Sequence, residues 1–113
     1  MRKSEVELLI EEFQEKEKYF RDYLKYAKMI KKEAKSLLGK VKVFVFGSIL
    51  RKREVAQDID ILIISPKLKT LDKKSEILAK LREKFPTPFE FHLITPKEYK
   101  EWYSYFIEEK IEI

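Results

Sequence analysis

The stretch that decides the fold covers residues 41–64 and reads VKVFVFGSILRKREVAQDIDILII. It opens with a short β-branched and aromatic run and passes through Gly47-Ser48. It closes with a second apolar run that two aspartates introduce. Runs of this length and composition predict β-strands at 41–46 and 59–64. The segment between them is long enough for one or two helical turns that begin at the Gly-Ser pair.

Downstream of this stretch, the pattern predicts another helix, strand and helix. Apolar residues at helical spacing indicate a helix over 70–84 with Thr70 as its cap, and residues 89–94 form a third strand-like run. Thr95-Pro96 then opens a final helix over 96–110, because a capping threonine followed by proline is typical of a helix start.

The N-terminal region predicts one long helix, or two helices with a bend. Residues 4–38 contain no Pro or Gly and carry apolar side chains close to helical spacing. Ser4 suits the cap and Gly39 the end. About 35 residues would span about 50 Å, more than so small a domain needs. Aromatic residues on several faces favour packing against a partner chain, although a helix that bends around its own core fits equally well.

Together these elements alternate helix and strand and predict one α/β domain over residues 1–113. We divide it into a long N-terminal helix (1–39), a core (41–95) and a C-terminal helix (96–110). The length allows only one hydrophobic core.

Composition excludes several classes of protein. The chain has no cysteine, which rules out disulfides, thiolate nucleophiles and zinc–cysteine sites, and which favours a reducing compartment such as the cytoplasm. No run resembles a signal peptide or approaches the roughly 20 apolar residues that span a bilayer. The abundance of Lys and Glu leans towards a thermophilic source.

The net charge of +5 is concentrated in one region. From Tyr23 to Arg53 the only acid is Glu33, and the basic residues are Lys25, Lys28, Lys31, Lys32, Lys35, Lys40, Lys42, Arg51, Lys52 and Arg53. A positive field therefore flanks the Gly-Ser pair and suits a polyphosphate or nucleic-acid ligand. The alternative is that these side chains only solvate a helix face.

Gly47-Ser48 has the composition of a phosphate-binding turn. A strand that runs into a turn at the start of a helix leaves backbone N–H groups free to meet an anion. Glycine allows close approach, and the Ser48 hydroxyl can donate to a phosphate oxygen. The same dipeptide also ends many ordinary strands.

Asp58 and Asp60 are two positions apart, so both carboxylates would project from one face of the strand and could share divalent cations. That face continues as Leu62 and Ile64, which we expect to be buried. Carboxylates at the head of an apolar face are costly unless they are paired or bound to metal, which favours magnesium. The alternative is that the two acids fray the strand start or cap a loop.

Glu90 is the best candidate for a third carboxylate. It occurs early in its strand, as Asp60 does, so a helical crossover that makes the two strands parallel neighbours would place them side by side. His92, the only histidine, shares the face of Glu90 and is interpreted as a neighbour of the site. Glu90 could instead be an ordinary exposed strand residue.

Phe46-Gly47-Ser48, nine residues, and then Asp58-Ile59-Asp60-Ile61 resemble the signature of the DNA polymerase beta-like nucleotidyltransferase superfamily, and most closely its minimal nucleotidyltransferases. The resemblance covers residues 41–95. It implies an α/β (α+β) fold with a short mixed sheet of about three strands flanked by helices. It also implies that Gly47 and Ser48 hold the triphosphate of ATP, that Asp58 and Asp60 bind two Mg²⁺ ions, and that Glu90 completes the acidic triad.

Two positions depart from the family pattern. Many relatives have a small residue shortly after the Gly-Ser pair and a serine before the first acid, where this chain has Arg51-Lys52-Arg53 and Gln57. The three bases, Arg51 first, could contact phosphate or bind a partner. The resemblance further implies that minimal members pair with HEPN-type toxins and transfer AMP to a toxin tyrosine.

The leading functional hypothesis is magnesium-dependent transfer of a nucleoside monophosphate, AMP from ATP, to a hydroxyl of a macromolecular acceptor. The expected partner is a HEPN-type subunit, or a second copy bound through the long N-terminal helix. The alternative is a non-catalytic nucleotide-binding protein or antitoxin that acts by occlusion. RNA binding ranks last because the chain has no recognised stacking platform.

Overall fold

The computed structural model describes residues 2–51 and 55–113. Its elements, in chain order, are α1 (Glu5–Arg21), α2 (Tyr23–Leu38), β1 (Lys42–Phe46), a 3-10 turn (Ser48–Leu50), β2 (Ile59–Ile64), α3 (Leu71–Lys84), β3 (Phe89–Ile94), α4 (Pro96–Glu98), a π-helical turn (Tyr99–Tyr103), α5 (Ser104–Phe106) and β4 (Lys110–Glu112). We call residues 96–106 the C-terminal helical segment. Among the described residues, no helix combines the length and the apolar character needed to cross a bilayer.

The N-terminal region follows the second form of its prediction, two helices with a bend. The interruption is Asp22, whose backbone (φ −110°, ψ 31°) leaves the helical range. Helical hydrogen bonds nevertheless continue through it, because its N–H donates to the Lys18 carbonyl and its own carbonyl accepts from Tyr26 N–H. Helices α1 and α2 therefore form one bent rod, which begins at Ser4, whose hydroxyl accepts from Glu7 N–H at 3.1 Å.

The sheet is mixed, as the resemblance implied, and its strand order is β3-β2-β1-β4. Strand β1 pairs antiparallel with β2, and β2 pairs parallel with β3 through the α3 crossover. The helix predicted over 96–110 ends at Phe106. A fourth strand, β4, which was not among the predicted elements, follows it and pairs antiparallel with β1. Residues 110–112 form hydrogen bonds with backbone groups along the edge of β1, which would otherwise stay unpaired. This stabilisation depends on a distant strand, so the local sequence pattern does not predict it.

The sheet has an apolar core on each face. On one face, α2 and α3 cover alternate strand residues, including the fully buried Ile59, Ile61 and Ile63. On the other face, the C-terminal helical segment and Ile107 cover Phe44, Phe46, Leu62, Ile64 and Ile94. Each fully buried side chain of this size stabilises the fold by about 1.5–3 kcal/mol. The sheet is thereby held between two layers, and the end of its second face that carries Asp60 and Glu90 is less covered than the rest of the described β2 and β3 residues on that face.

Both predicted helix caps beyond β2 are present. The Thr70 hydroxyl accepts from Lys73 N–H at 3.1 Å, at the start of α3. Thr95 accepts from Glu98 N–H at 3.2 Å, while the Glu98 carboxylate accepts from Thr95 N–H at 3.0 Å. This reciprocal pair is a capping box, and it fixes the direction in which the chain leaves β3.

Candidate active site

Asp60 and Glu90 are directly paired residues of two neighbouring parallel strands. The register of β2 and β3 aligns Asp60 with Glu90 and Leu62 with His92. Because these positions alternate with the buried isoleucines, their side chains lie on the second face of the sheet, at its open end. The crossover through α3 thus brings Asp60 and Glu90 to the same depth, the arrangement expected from their similar positions in the two strands.

His92 belongs to the same cluster. Its Nε2 lies 3.1 Å from Asp60 Oδ1, and one ligand atom from each of Asp60, Glu90 and His92 lies within 4.8 Å of the others. Both side chains of the Asp60–His92 pair are largely buried, at 21% and 24% exposed. Sequence reasoning placed His92 only beside the site, although its spacing of two from Glu90 was the signal that both share one face.

Asp58 lies apart from this cluster. Strand β2 begins at Ile59, so Asp58 is an exposed residue of the preceding loop and not a strand neighbour of Asp60. It is not among the residues grouped with Asp60 within 4.8 Å, and it lines a cleft beside Ser48. Asp58 thus precedes the strand on which the sequence pattern placed it, and its part in a metal site shared with Asp60 stays a prediction.

Gly47 is in direct contact with the acidic cluster. It follows the last residue of β1, Phe46, which pairs with Asp60. Its φ of +85° is in the left-handed region, and a Cβ built on it would lie 2.4 Å from Asp60 Oδ2. Only glycine satisfies both conditions without rearrangement. The Gly-Ser turn is therefore pressed against the Asp60 carboxylate, which places Ser48 next to the cluster.

Ser48 opens the 3-10 turn, whose hydrogen bonds run from Leu50 N–H to the Gly47 carbonyl and from Arg51 N–H to the Ser48 carbonyl. The first N–H groups of such a turn have no partner within it, so they are available to an anion. Arg51 follows the turn and is exposed. Lys52 and Arg53, the other two bases of the predicted basic stretch, lie outside the described residues.

A cleft of about 760 Å³ has both Ser48 and Asp58 in its lining. One wall is the loop around Ser48 and Asp58, and the other is α1; its lining residues are Phe13, Lys16, Glu17, Phe20, Ser48, Ile49, Val55, Ala56, Gln57 and Asp58. A cleft of this size can hold a small organic ligand. Sequence reasoning missed the contribution of α1, because no local pattern connects residues so far apart along the chain.

The C-terminal helical segment reaches the cluster through Tyr103. The Tyr103 hydroxyl lies 3.5 Å from His92 Nδ1, and the two rings meet edge to face with centroids 5.9 Å apart. Burial raises the pKa of Tyr103, and the charge of Glu98 adds to this shift. The phenol is therefore neutral at physiological pH and can act as a hydrogen-bond donor to the imidazole. No pattern in the sequence connects Tyr103 with the site.

The donor atoms of the cluster fit a divalent cation. Carboxylate oxygens are the ligands that Mg²⁺ prefers, and an imidazole beside them is also compatible with Mn²⁺ or another transition metal. The separation of 3.1 Å between His92 Nε2 and Asp60 Oδ1 matches the distance of about 3 Å between adjacent ligands of a metal held at about 2.1 Å. Asp60, Glu90 and His92 could therefore hold one ion together.

Comparisons with known proteins agree with this geometry. Residues 27–112 match the family described as nucleotidyltransferase domain. The crystal structure of a protein proposed to be a nucleotidyltransferase superposes with a TM-score of 0.65 and 28% identity, over 81% of this chain and 98% of the other. Another such protein, from Sulfolobus solfataricus, has the same fold, with a TM-score of 0.63 and 20% identity over 84% of this chain and 82% of the other. No curated protein matches the sequence.

The family match spans β1, β2 and β3 with every residue of the acidic cluster, so this chain belongs to the nucleotidyltransferase domain family, as its resemblance to minimal polymerase beta-like enzymes implied.

Proposed function

We propose that this protein transfers AMP from ATP to a hydroxyl of a macromolecular acceptor. The observation that carries the proposal is the contact between the Gly-Ser turn and the acidic cluster, in which Gly47 leaves no room for a Cβ beside Asp60. A turn suited to phosphate and a pair of carboxylates suited to metal are thus parts of one site. This combination is what a metal-bound triphosphate requires.

The donor nucleotide would occupy the cleft between α1 and the Gly-Ser turn. Ser48 and the first N–H groups of the turn would hold the triphosphate, and Arg51, which follows the turn, would add positive charge. The rings of Phe13 and Phe20 line the opposite wall and offer apolar surface to a nucleoside. Asp58 lines the same cleft, so its carboxylate would help to hold the metal that accompanies the triphosphate.

Asp58, Asp60 and Glu90 would hold two magnesium ions. When bound, magnesium lowers the pKa of the attacking hydroxyl and stabilises the pyrophosphate leaving group. The acceptor oxygen forms a bond to the α-phosphorus, the bond from that phosphorus to the β-bridging oxygen breaks, and pyrophosphate leaves. Glu90 is exposed at the open end of the sheet, where its carboxylate can accept the hydroxyl proton.

The acceptor in this proposal is a protein. The sheet and its two layers use most of the chain, so a separate acceptor-recognition domain is not available within these residues. The resemblance to minimal nucleotidyltransferases suggests a tyrosine of a HEPN-type toxin subunit as the acceptor, in a cytoplasmic pair. The lack of cysteine fits that compartment.

Incubation with ATP labelled at the α-phosphate, with and without co-purified proteins, tests the proposal. Mass spectrometry of every chain should find one that gains AMP in a magnesium-dependent way. Asp60→Asn should abolish this gain, whereas Asp72→Asn, which removes an exposed aspartate in the first turn of α3, should not. Transfer at the wild-type rate by Asp60→Asn would refute the assignment.

A non-catalytic role is the second candidate, and the position of Asp58 outside the cluster favours it. In that case the protein occludes a partner and keeps only part of an ancestral site. Calorimetric titration with ATP separates the two proposals: binding that requires magnesium supports transfer, and no binding in its presence supports occlusion.

A further inference from the structure

The rod formed by α1 and α2 runs the length of the molecule. At about 1.5 Å per residue, its 34 residues would extend about 51 Å, and the longest dimension of the protein is 50 Å. Hydrogen bonds continue through Asp22, so the bend does not divide the rod into separate bodies. The residues of α1 from Glu5 to Lys18 are all exposed, and Tyr19, near the end of this helix, is its one buried residue.

One face of this rod is apolar at coiled-coil spacing. Val6, Ile10, Phe13, Phe20 and Leu24 follow one another at intervals of three, four or seven residues, which places them along a single line. Most of this line is open to solvent: Val6 is 65% exposed and Phe13 68%. Exposed apolar residues in such a row mark a contact surface.

Charge along the rod is divided sharply between its two halves. Residues 5–15 contain five glutamates and no Lys or Arg, whereas residues 24–35 contain five lysines and one acid. That acid, Glu33, already pairs with Lys84 of α3 at 2.9 Å. Lys28, Lys32 and Lys35 are exposed, with the apolar Leu24 and Met29 beside them. The acidic half and the basic half are therefore complementary surfaces within one chain.

We infer that two copies of this chain associate through antiparallel rods, so that the acidic half of each α1 lies on the basic face of the partner's α2. In this antiparallel arrangement residues 5–15 of one copy lie opposite residues 24–35 of the other. The two-fold axis therefore crosses the rods near Phe20. A register that matched the apolar row of α1 with itself would bring Glu5, Glu7 and Glu12, which flank the row, close to their own copies. Charge thus selects the offset register, and the apolar row fills its centre.

The inference does not require nucleotidyl transfer, although Phe13 and Phe20 belong both to the apolar row and to the cleft beside Ser48, so the dimer would share that wall of the cleft. Each contact occurs twice in a two-fold interface, so a change on one surface acts at two places. Nucleic acid is a poor occupant of α1, because five glutamates would repel phosphate. A second copy of the chain presents the lysines of its α2 to the glutamates of α1, so no other component is required for the charges to be matched.

Two charge-reversed variants of the full chain test this interface. The first carries Glu5→Lys, Glu7→Lys and Glu12→Lys, and the second carries Lys28→Glu, Lys32→Glu and Lys35→Glu. Analytical ultracentrifugation should find the wild type dimeric. Either variant alone should show a dimer dissociation constant raised by about 100-fold or more, because like charges then face each other at both symmetry-related contacts.

The decisive sample is an equimolar mixture of the two variants. In the mixture each reversed surface meets its reversed complement, so a heterodimer should form with nearly wild-type affinity. A single chain that carries all six substitutions should recover the homodimer for the same reason. The matched control, Lys69→Glu with Lys97→Glu and Lys100→Glu, makes the same change in net charge at exposed positions outside the rod and should stay dimeric.

Circular dichroism of each variant checks that the rod stays helical. A wild type that is monomeric at 200 µM, a concentration of the order found for weak complexes, would overturn the inference. So would a dimer that neither variant weakens, or a mixture that fails to associate while both chains remain helical. If the first variant alone loses helix, the second variant decides, because its α1 is unchanged and its dimer dissociation constant still tests the basic face of α2.

Discussion

A Cβ atom on Gly47 would lie 2.4 Å from Oδ2 of Asp60, closer than two such atoms can approach. The turn at the end of β1 and the first carboxylate of β2 therefore occupy fixed positions relative to each other. The antiparallel register, in which Phe46 pairs with Asp60, produces this contact.

Gly47→Ala should consequently reduce AMP transfer by about 100-fold or more, because the added methyl group displaces Asp60 from the cluster. It should also cost about 1–2 kcal/mol of stability, since φ is +85°. Gly39→Ala is the matched control: φ there is +76°, but the nearest atom to a new Cβ is Lys67 Nζ at 3.7 Å. Equal activity in the two variants, measured beside their free energies of unfolding, would contradict the prediction.

His92→Gln should weaken binding of a divalent cation by about 10- to 100-fold, whether the imidazole contacts the ion or orients Asp60 from 3.1 Å away. Titration with Mn²⁺, followed by electron paramagnetic resonance, measures this directly and needs no acceptor. Tyr103→Phe removes only the hydroxyl near His92 Nδ1 and should have a smaller effect. If His92→Gln binds Mn²⁺ with the affinity of the wild type, His92 does not contribute to the metal site.

Glu98 should make the stability of the C-terminal helical segment depend on pH. Burial acts to raise its pKa, but hydrogen bonds from Lys74 and Thr95 outweigh burial and hold the pKa of Glu98 below its ordinary value. A carboxyl with a depressed folded-state pKa stabilises the fold above its unfolded pKa, and this contribution is lost as the pH falls through the folded pKa.

The free energy of unfolding of the wild type should therefore fall more between pH 7 and pH 3 than that of Glu98→Gln, which cannot titrate at this position. The Lys74→Met variant removes the ammonium that lies 2.8 Å from Glu98. Its free energy of unfolding should also fall less between pH 7 and pH 3 than that of the wild type, because one of the groups that lower the pKa of Glu98 is gone. Parallel pH profiles for the wild type and Glu98→Gln would show that this network does not contribute.

Ile61→Ala should destabilise the protein by about 2–5 kcal/mol, because Ile61 is fully buried at the centre of β2 and a cavity would remain. Leu71→Ala provides the comparison, since Leu71 is 79% exposed and its truncation should change stability by less than about 0.5 kcal/mol. Urea denaturation measures both values. Similar costs at the two positions would indicate that the core is packed differently.

The sequence predicted the elements whose signals are local. Strands β2 and β3 follow short runs rich in β-branched and aromatic residues, and the helix starts at Thr70 and Thr95 follow capping chemistry that acts over three residues. The alignment of Glu90 with Asp60 was also predictable, because equal depth in parallel strands brings residues together.

The remaining features depend on tertiary contacts. Strand β4 has three exposed residues and exists because β1 offers it an edge. The bend at Asp22 could not be predicted from helix-breaking residues, because no Pro or Gly occurs near it. The wall that α1 gives to the cleft joins Phe13 to Ser48 across more than 30 positions of sequence, and a spacing rule cannot describe such a contact.

The π-helical turn at Tyr99–Tyr103 contains one residue more than the direction of the chain requires. Ser104 N–H donates to the Tyr99 carbonyl, five residues earlier, so the turn holds one residue more than an α-helical turn. Deleting one residue between Tyr99 and Ser104 would leave Ser104 opposite the same carbonyl, now four residues earlier, which is the spacing of an ordinary α-helix. Ile107 would then keep its position over the sheet, whereas the same frame-preserving deletion inside α3 would rotate every later residue of that helix by about 100°.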